Sequence, residues 1–266
     1  MKNRWLLIVV GLVIAGMGVM FLLGKRKPTV LGGQSAAQLY SQAVSQEAEG
    51  DTLLARDTLH KLIEEFPGSR QIADAGKRLE AINMKIIFSS LATPQTKIYE
   101  VKPGDSLDKI AKHFNTTVEL LKKSNHLSSA VIRPGQKLRV WVEKFSIFVD
   151  KSQNLLVLKS GDEVIKTYRV STGKNNSTPV GNFKITSKLV NPVWFKAGAA
   201  VPAESPENVL GSRWMGFDLP GYGIHGTVVP DTLGQQVTEG CVRMANQDVE
   251  ELFAIVPLGA EVTVVD

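Results

Sequence analysis

The 266-residue chain has a single cysteine, Cys241, inside the stretch IHGTVVPDTLGQQVTEGCVRMANQDV at residues 224–249. A free cysteine is more often buried filler than a nucleophile, and a lone histidine is more often structural than catalytic. The neighbours change that balance. Gly240 lets the backbone turn sharply and exposes amides, so that consecutive N–H groups can point at a carbonyl oxygen as an oxyanion hole. Arg243 shares a side of an extended strand with Cys241. A guanidinium there stabilises a thiolate or grips a carboxylate through two hydrogen bonds. His225, in a glycine-flanked loop, has the chemistry to take the thiol proton, because a nucleophilic cysteine needs an adjacent base or cation. Together the pair and its glycines favour a nucleophilic Cys241 over a buried filler.

Other chemistries are excluded by what the chain lacks. One cysteine permits neither an intramolecular disulfide nor a zinc cluster of several cysteines, and His60, His113, His126 and His225 show no metal-ligand spacing. No metal or organic cofactor is expected. The net charge of +5 comes wholly from Lys2, Arg4, Lys25, Arg26 and Lys27, which leaves 26 basic against 26 acidic residues in the rest. With no basic patch beyond that flank, a nucleic-acid partner is not expected.

The elements that must position the cysteine lie in residues 145–266. FSIFVD, NLLVLKS, VIKTYRV, NFKITS and AEVTVVD read as strands between turn-rich loops, which predicts an antiparallel, curved or barrel-like β domain. DVEELFAIV, Asp248 to Val256, reads as one helix against the sheet. Phe195 to Ser212 reads as a long ordered loop beside the site, either an ordinary surface loop or a substrate lid. Trp194 and Trp214 line the cleft or belong to the core.

Upstream, IYEVKPGDSLDKIAKHFNTTVELLKKSNHLSSAVIRPGQKLRVW reads as strand, two helices and strand. Pro103-Gly104 and Pro134-Gly135 suit turns, and Thr116 with Glu119 suits a capping box. Over residues 97–142 this segment resembles a LysM domain, carried by VKPGDSLDKIA, LLKKSN and IRPGQKLRV. The resemblance implies binding to glycan strands containing N-acetylglucosamine, with Asn125 as a candidate glycan contact or a helix-terminating residue. Residues 38–90 carry helical stripes at Ala55, Leu59, Leu62, Ile63 and Phe66, and at Ile72, Ala75, Leu79, Ile82 and Ile86. They resemble a tetratricopeptide-type hairpin, which leaves open a spacer packed on a neighbour or a docking surface for a protein partner.

Residues 28–37 read as a tether, and residues 1–27 as an anchor with basic flanks. Trp5 to Leu23 is 19 uncharged residues, enough to span a hydrocarbon core of about 30 Å. A cleaved signal peptide is the competing reading. The basic flanks alone put the larger cationic side, and so the rest of the chain, in the cytoplasm.

The catalytic segment adds a second resemblance. STGKNNSTPVGNFKI, NP with a Trp two residues on, NVLGSRWMGF, GIHGT and TEGCVRM are similar, in order, to the L,D-transpeptidase catalytic domain of the YkuD family, over residues 145–266. The resemblance implies Cys241 as nucleophile, His225 as general base, the Gly240 and Cys241 amides as oxyanion donors, Arg243 as an aid to substrate binding or the thiolate, and the Gly226 carbonyl as the group orienting the imidazole. Thr227, Trp214 and Thr238 become candidate substrate contacts. The implied reaction attacks the third residue of a peptidoglycan stem peptide, releases D-alanine through a thioester, and forms a 3-3 cross-link. Hydrolytic trimming, protein attachment to the wall and a non-catalytic wall-binding scaffold are the alternatives. Glu239, two residues before the thiol, stands where a branch of the family has His and would raise the thiol pKa if it faced the sulfur. Wall chemistry requires the catalytic domain outside the cytoplasmic membrane, which overrules the flank charges and implies a single-pass protein of that membrane. The expected fold is multidomain α+β: transmembrane helix, helical hairpin-like region, βααβ LysM module and mainly-β catalytic domain.

Overall fold

The computed structural model describes residues 34–266 apart from Ala197. The apolar run Trp5 to Leu23, expected to span a membrane, lies outside the described residues. Among the described residues no helix is long and apolar enough to cross a membrane.

Three helices come first: α1 (Ala36–Glu49), α2 (Thr52–Glu65) and α3 (Ile72–Ile87). A capping box starts α1, in which the Gln38 amide donates to the Ser35 hydroxyl and the Ser35 amide donates to the Gln38 side chain at 2.8 Å. Gly50, at φ 89°, ends it in the left-handed region that suits glycine. The buried side chains Leu39, Ala43, Ala55, Leu59, Leu62 and Ala75 follow the helical period. Arg78 of α3 donates to Glu47 at 2.8 Å and to the Tyr40 hydroxyl at 2.9 Å, tying α3 to α1.

The next module pairs β1 (Thr96–Glu100) antiparallel with β2 (Lys137–Trp141), from Thr96 opposite Trp141 to Glu100 opposite Lys137. Between them lie α4 (Leu107–His113) and α5 (Val118–Ser124). Val101, Leu107, Ile110, Ala111, Leu121, Leu138 and Val140 form its core. The expected cap at Thr116 is displaced by one residue. Thr117 accepts the Leu120 amide at 2.9 Å, while the Thr116 hydroxyl is buried with no hydrogen-bond partner.

The C-terminal region is built on β3 (Phe145–Asp150), β4 (Leu155–Ser160), β5 (Glu163–Arg169), β6 (Thr172–Gly173), β7 (Gly181–Val190), β8 (Trp194–Lys196), β9 (Ala199–Val201), β10 (Arg213–Phe217), β11 (Gly223–His225), β12 (Gln236–Thr238), β13 (Val242–Arg243), α6 (Asn246–Ile255) and β14 (Glu261–Val265). Eight strands form one sheet in the order β13-β11-β10-β7-β14-β3-β4-β5. The sheet is mixed, which corrects the antiparallel expectation. β14 runs parallel to β3, and β13 parallel to β11. Parallel neighbours need a long connection. The helix α6 and the excursion through residues 226–241 supply the length that brings β14 and β13 into place, and strand-by-strand alternation carries no sign of it.

Two further boundaries differ from the sequence reading. α6 starts at Asn246, two residues before Asp248. Part of the segment expected as a loop is a short hairpin, β8 with β9, in which Phe195 is 76% exposed.

The βααβ module and the C-terminal region touch through specific bonds. The Trp141 indole donates to the Ser160 hydroxyl at 3.1 Å and its ring stacks on Phe145 at 5.6 Å and 20°. The Thr117 hydroxyl donates to the Ala254 carbonyl at the end of α6.

Candidate active site

The parallel pairing of β11 with β13 sets Ile224 opposite Val242 and His225 opposite Arg243, and the antiparallel pairing of β10 sets Trp214 opposite His225. Alternate residues of a strand face opposite sides of the sheet. Met215, Ile224 and Val242 therefore share one face, and all three are fully buried. Trp214, His225 and Arg243 share the other, and Cys241, one residue before β13, continues that face opposite Gly223. Two segments far apart along the chain thus present the His225 imidazole, the Cys241 thiol and the Arg243 guanidinium on one side of neighbouring strands.

Glycines clear this face. A side chain on Gly223 would come within 2.9 Å of the Trp214 ring, and one on Gly216 within 2.7 Å of its indole nitrogen. The freed space lets the Trp214 ring stack near the imidazole, with centroids 6.2 Å apart and planes at 21°.

His225 is buried, and its Nδ1 lies 2.6 Å from the Gly226 carbonyl oxygen. A carbonyl only accepts, so Nδ1 carries the proton and donates. The neutral ring is left with its lone pair on Nε2. Burial pushes the imidazole pKa down to about 4, the Gly226 bond opposes that, and the nearby Arg243 charge reinforces it.

Cys241 is only partly exposed, and its sulfur is held by backbone. The thiol donates to the Gly221 carbonyl at 3.4 Å, and the Gly223 amide donates to the sulfur. Burial pushes the thiol pKa up, while the Gly223 amide and the Arg243 charge pull it down. Tyr222 lies between these two backbone contacts, and its ring covers Gly240, where an added side chain would come within 2.8 Å of it. Gly240 has φ 134°, a backbone that side-chain-bearing residues rarely adopt.

Several expected roles change. The Gly240 amide donates to the Thr238 hydroxyl at 3.2 Å, so it is already engaged, whereas the Cys241 amide has no partner among the described residues. Thr238 is buried and donates to the Cys241 carbonyl at 2.6 Å, which makes it a brace for the turn rather than a substrate contact. Thr227 is buried as well. Its amide donates to Asn246 at 3.1 Å and its hydroxyl accepts the Val229 amide at 3.0 Å. Asn125 donates to the Leu121 and Arg139 carbonyls at 2.8 Å and accepts the Arg139 amide at 2.6 Å, so it clamps α5 to β2 instead of reaching a glycan. Glu239 pairs with Lys174 at 2.8 Å on an exposed surface, where water screens it. Arg243 donates to the Thr232 hydroxyl at 3.1 Å, and its Nε is buried without a hydrogen-bond partner among the described residues.

Sequence reasoning missed the supports. Gly173 approaches so closely that a side chain there would sit 2.9 Å from the Gly240 backbone. Its amide donates to the Thr178 hydroxyl at 2.7 Å, and buried Lys151 holds the same loop through the Thr178 carbonyl at 2.8 Å. No local pattern marks a lysine as buried. Among the described residues no group of three or more His, Cys, Asp or Glu side chains is arranged to hold a metal ion.

A family profile for the L,D-transpeptidase catalytic domain, YkuD, matches residues 144–264, and one for the LysM domain matches residues 99–141. YqjB of Bacillus subtilis is 40% identical over 126 residues, which is 45% of this chain and 70% of the relative. YkuD of Bacillus licheniformis is 33% identical over 175 residues, 63% of this chain and 98% of the relative. YkuD of Bacillus subtilis is 33% identical over 173 residues, 62% of this chain and 97% of the relative. All three carry L,D-transpeptidase in their names.

Proposed function

This chain belongs to the L,D-transpeptidase family with the YkuD catalytic domain, and from that premise we propose that Cys241 is the acyl-carrying nucleophile and His225 its base. It is an L,D-transpeptidase of peptidoglycan with a LysM module for the glycan. The observation that carries the assignment of roles is the His225 ring with its proton on Nδ1, next to a strand that carries the chain's only thiol.

The resting pair is a neutral thiol and a neutral imidazole, so deprotonation accompanies attack. Nε2 takes the thiol proton as the sulfur adds to the carbonyl carbon of the third stem residue. The Cys241 amide donates to the developing oxyanion. Collapse breaks the bond to D-alanine, whose nitrogen leaves with the proton from His225, and a thioester remains. An amine of a second stem then adds to that carbonyl, gives its surplus proton to His225, and expels the sulfur, which regains the proton. The product is a 3-3 cross-link. Arg243, with an unused Nε, binds a substrate carboxylate, and Trp214 walls the cleft above the imidazole.

The catalytic unit works outside the cytoplasmic membrane, held there by the apolar run Trp5 to Leu23, because the substrate is wall material. The helical region serves as spacer or as a docking surface for another protein. The experiment mixes the full chain with a disaccharide-tetrapeptide and follows products and intact mass. Loss of D-alanine with dimer formation, both abolished in Cys241→Ala, is the expected outcome. Loss of D-alanine without dimer favours hydrolytic trimming or another acceptor, and no adduct from folded protein removes the catalytic assignment.

A further inference from the structure

Asn246 is the first residue of α6, yet its side-chain oxygen turns to the loops before the helix. Its Oδ1 accepts the Ser212 amide at 3.0 Å and the Thr227 amide at 3.1 Å. Two N–H donors on one atom establish that atom as the oxygen. The loops close tightly around it. An added side chain on Gly226 would come within 2.1 Å of Oδ1, and one on Gly211 within 2.2 Å. Both glycines are therefore required for the amide group to be there at all.

The Thr227 N–H belongs to the same planar peptide group as the Gly226 C=O. In a trans peptide these two bonds point in opposite directions, so holding one aims the other. The Gly226 oxygen is the atom that accepts the hydrogen bond from His225 Nδ1–H, with Nδ1 and oxygen 2.6 Å apart. We propose that Asn246 is a positioning residue for catalysis, acting through the Gly226–Thr227 peptide to hold His225 as the Nδ1–H tautomer. Resting on the assignment of His225 as base, the inference explains why that base is competent. The ring accepts a thiol proton only at an unprotonated Nε2, and the tautomer is set by the bond made at the other nitrogen. A bond to a polarised N–H also makes the attached carbonyl a better acceptor, through the cooperativity of linked hydrogen bonds. Released from Asn246, the peptide is free to rotate, Nδ1 loses its acceptor, and protonation at Nε2 competes. A ring in that form cannot deprotonate Cys241.

The test compares the full chain with Asn246→Ala and Asn246→Asp. Asp keeps an acceptor oxygen at the same reach, whereas Ala removes it. Nitrogen-15 NMR of the His225 ring at neutral pH reads the tautomer without turnover, and D-alanine release from the tetrapeptide reads kcat and KM. The expected result for Asn246→Ala is a mixture of ring tautomers and a fall in kcat of roughly 10- to 100-fold with KM nearly unchanged, short of the ~10⁴-fold loss that a fully wrong tautomer causes in serine proteases. Asn246→Asp restores the Nδ1–H form and most of kcat. An unchanged tautomer in folded Asn246→Ala overturns the proposal, as does an Asp variant as impaired as Ala. Since the NMR signal does not depend on activity, an inactive wild type would sink the catalytic assignment while leaving the tautomer result readable.

Discussion

Cys241 and His225 are both kept uncharged near neutral pH by the same cause. Burial raises the thiol and lowers the imidazole, because each charged form loses hydration. The stability consequence of His225 has a definite sign. Its folded pKa of about 4 lies below the unfolded value of 6.5. The stabilisation is therefore complete above about pH 6.5 and is lost as pH falls through about 4, a difference on the order of 3 kcal/mol. Unfolding free energy measured from pH 7 down to pH 4 should fall more steeply in the wild type than in His225→Gln; parallel curves would show that the imidazole titrates normally. Glu239 belongs to the same scale. Paired with Lys174 at the surface, its carboxylate does not act on the sulfur, so Glu239→Gln should leave the pH profile of Cys241 alkylation in place. A shifted profile would place the carboxylate against the thiol.

At the scale of elements, α6 joins β13 at the edge of the sheet to β14 in its middle, and both its ends are tied to other elements. Asn246 holds the start. At the other end Lys188 of β7 donates to the Phe253 carbonyl at 2.6 Å and the Val256 carbonyl at 2.8 Å, with its ammonium 4.2 Å from the centre of the Phe253 ring. These are carbonyls of the helix C-terminus, where a cation is favourable. Burial pulls the ammonium pKa down to about 8, and Glu119 of α5 pushes it back up. Lys188→Met should cost about 1–2 kcal/mol through the lost charge and the orphaned carbonyls, read as a drop of a few degrees in Tm. An unchanged Tm would show that water replaces the ammonium without loss.

At the scale of the molecule, the LysM and catalytic modules read as separate segments of sequence but form one compact unit, residues 87–266. Trp141 reaches across to Ser160 and stacks on Phe145, and Thr117 bonds to the end of α6. Side chains shared in this way couple the unfolding of the two modules. Calorimetry of the full chain should show LysM and catalytic region melting in one transition, with Trp141→Ala splitting it. Two transitions in the wild type would mean that the contacts do not couple them.

The chemistry and most of the elements are readable from residue order, since the information is local. TEGCVRM and GIHGT carry the thiol and the imidazole proposed to react, periodicity marks α1 to α3, and Pro-Gly turns frame the βααβ module. The partners are not local, and folding alone assigns them. Glu239 meets Lys174, Gly223 meets the Cys241 sulfur, and Asn246 reaches the peptide after His225. A hydrogen bond depends on which distant backbone group arrives at about 3 Å. The parallel pairing of β11 with β13, which unites base and nucleophile, depends likewise on a long connection whose path no strand pattern encodes.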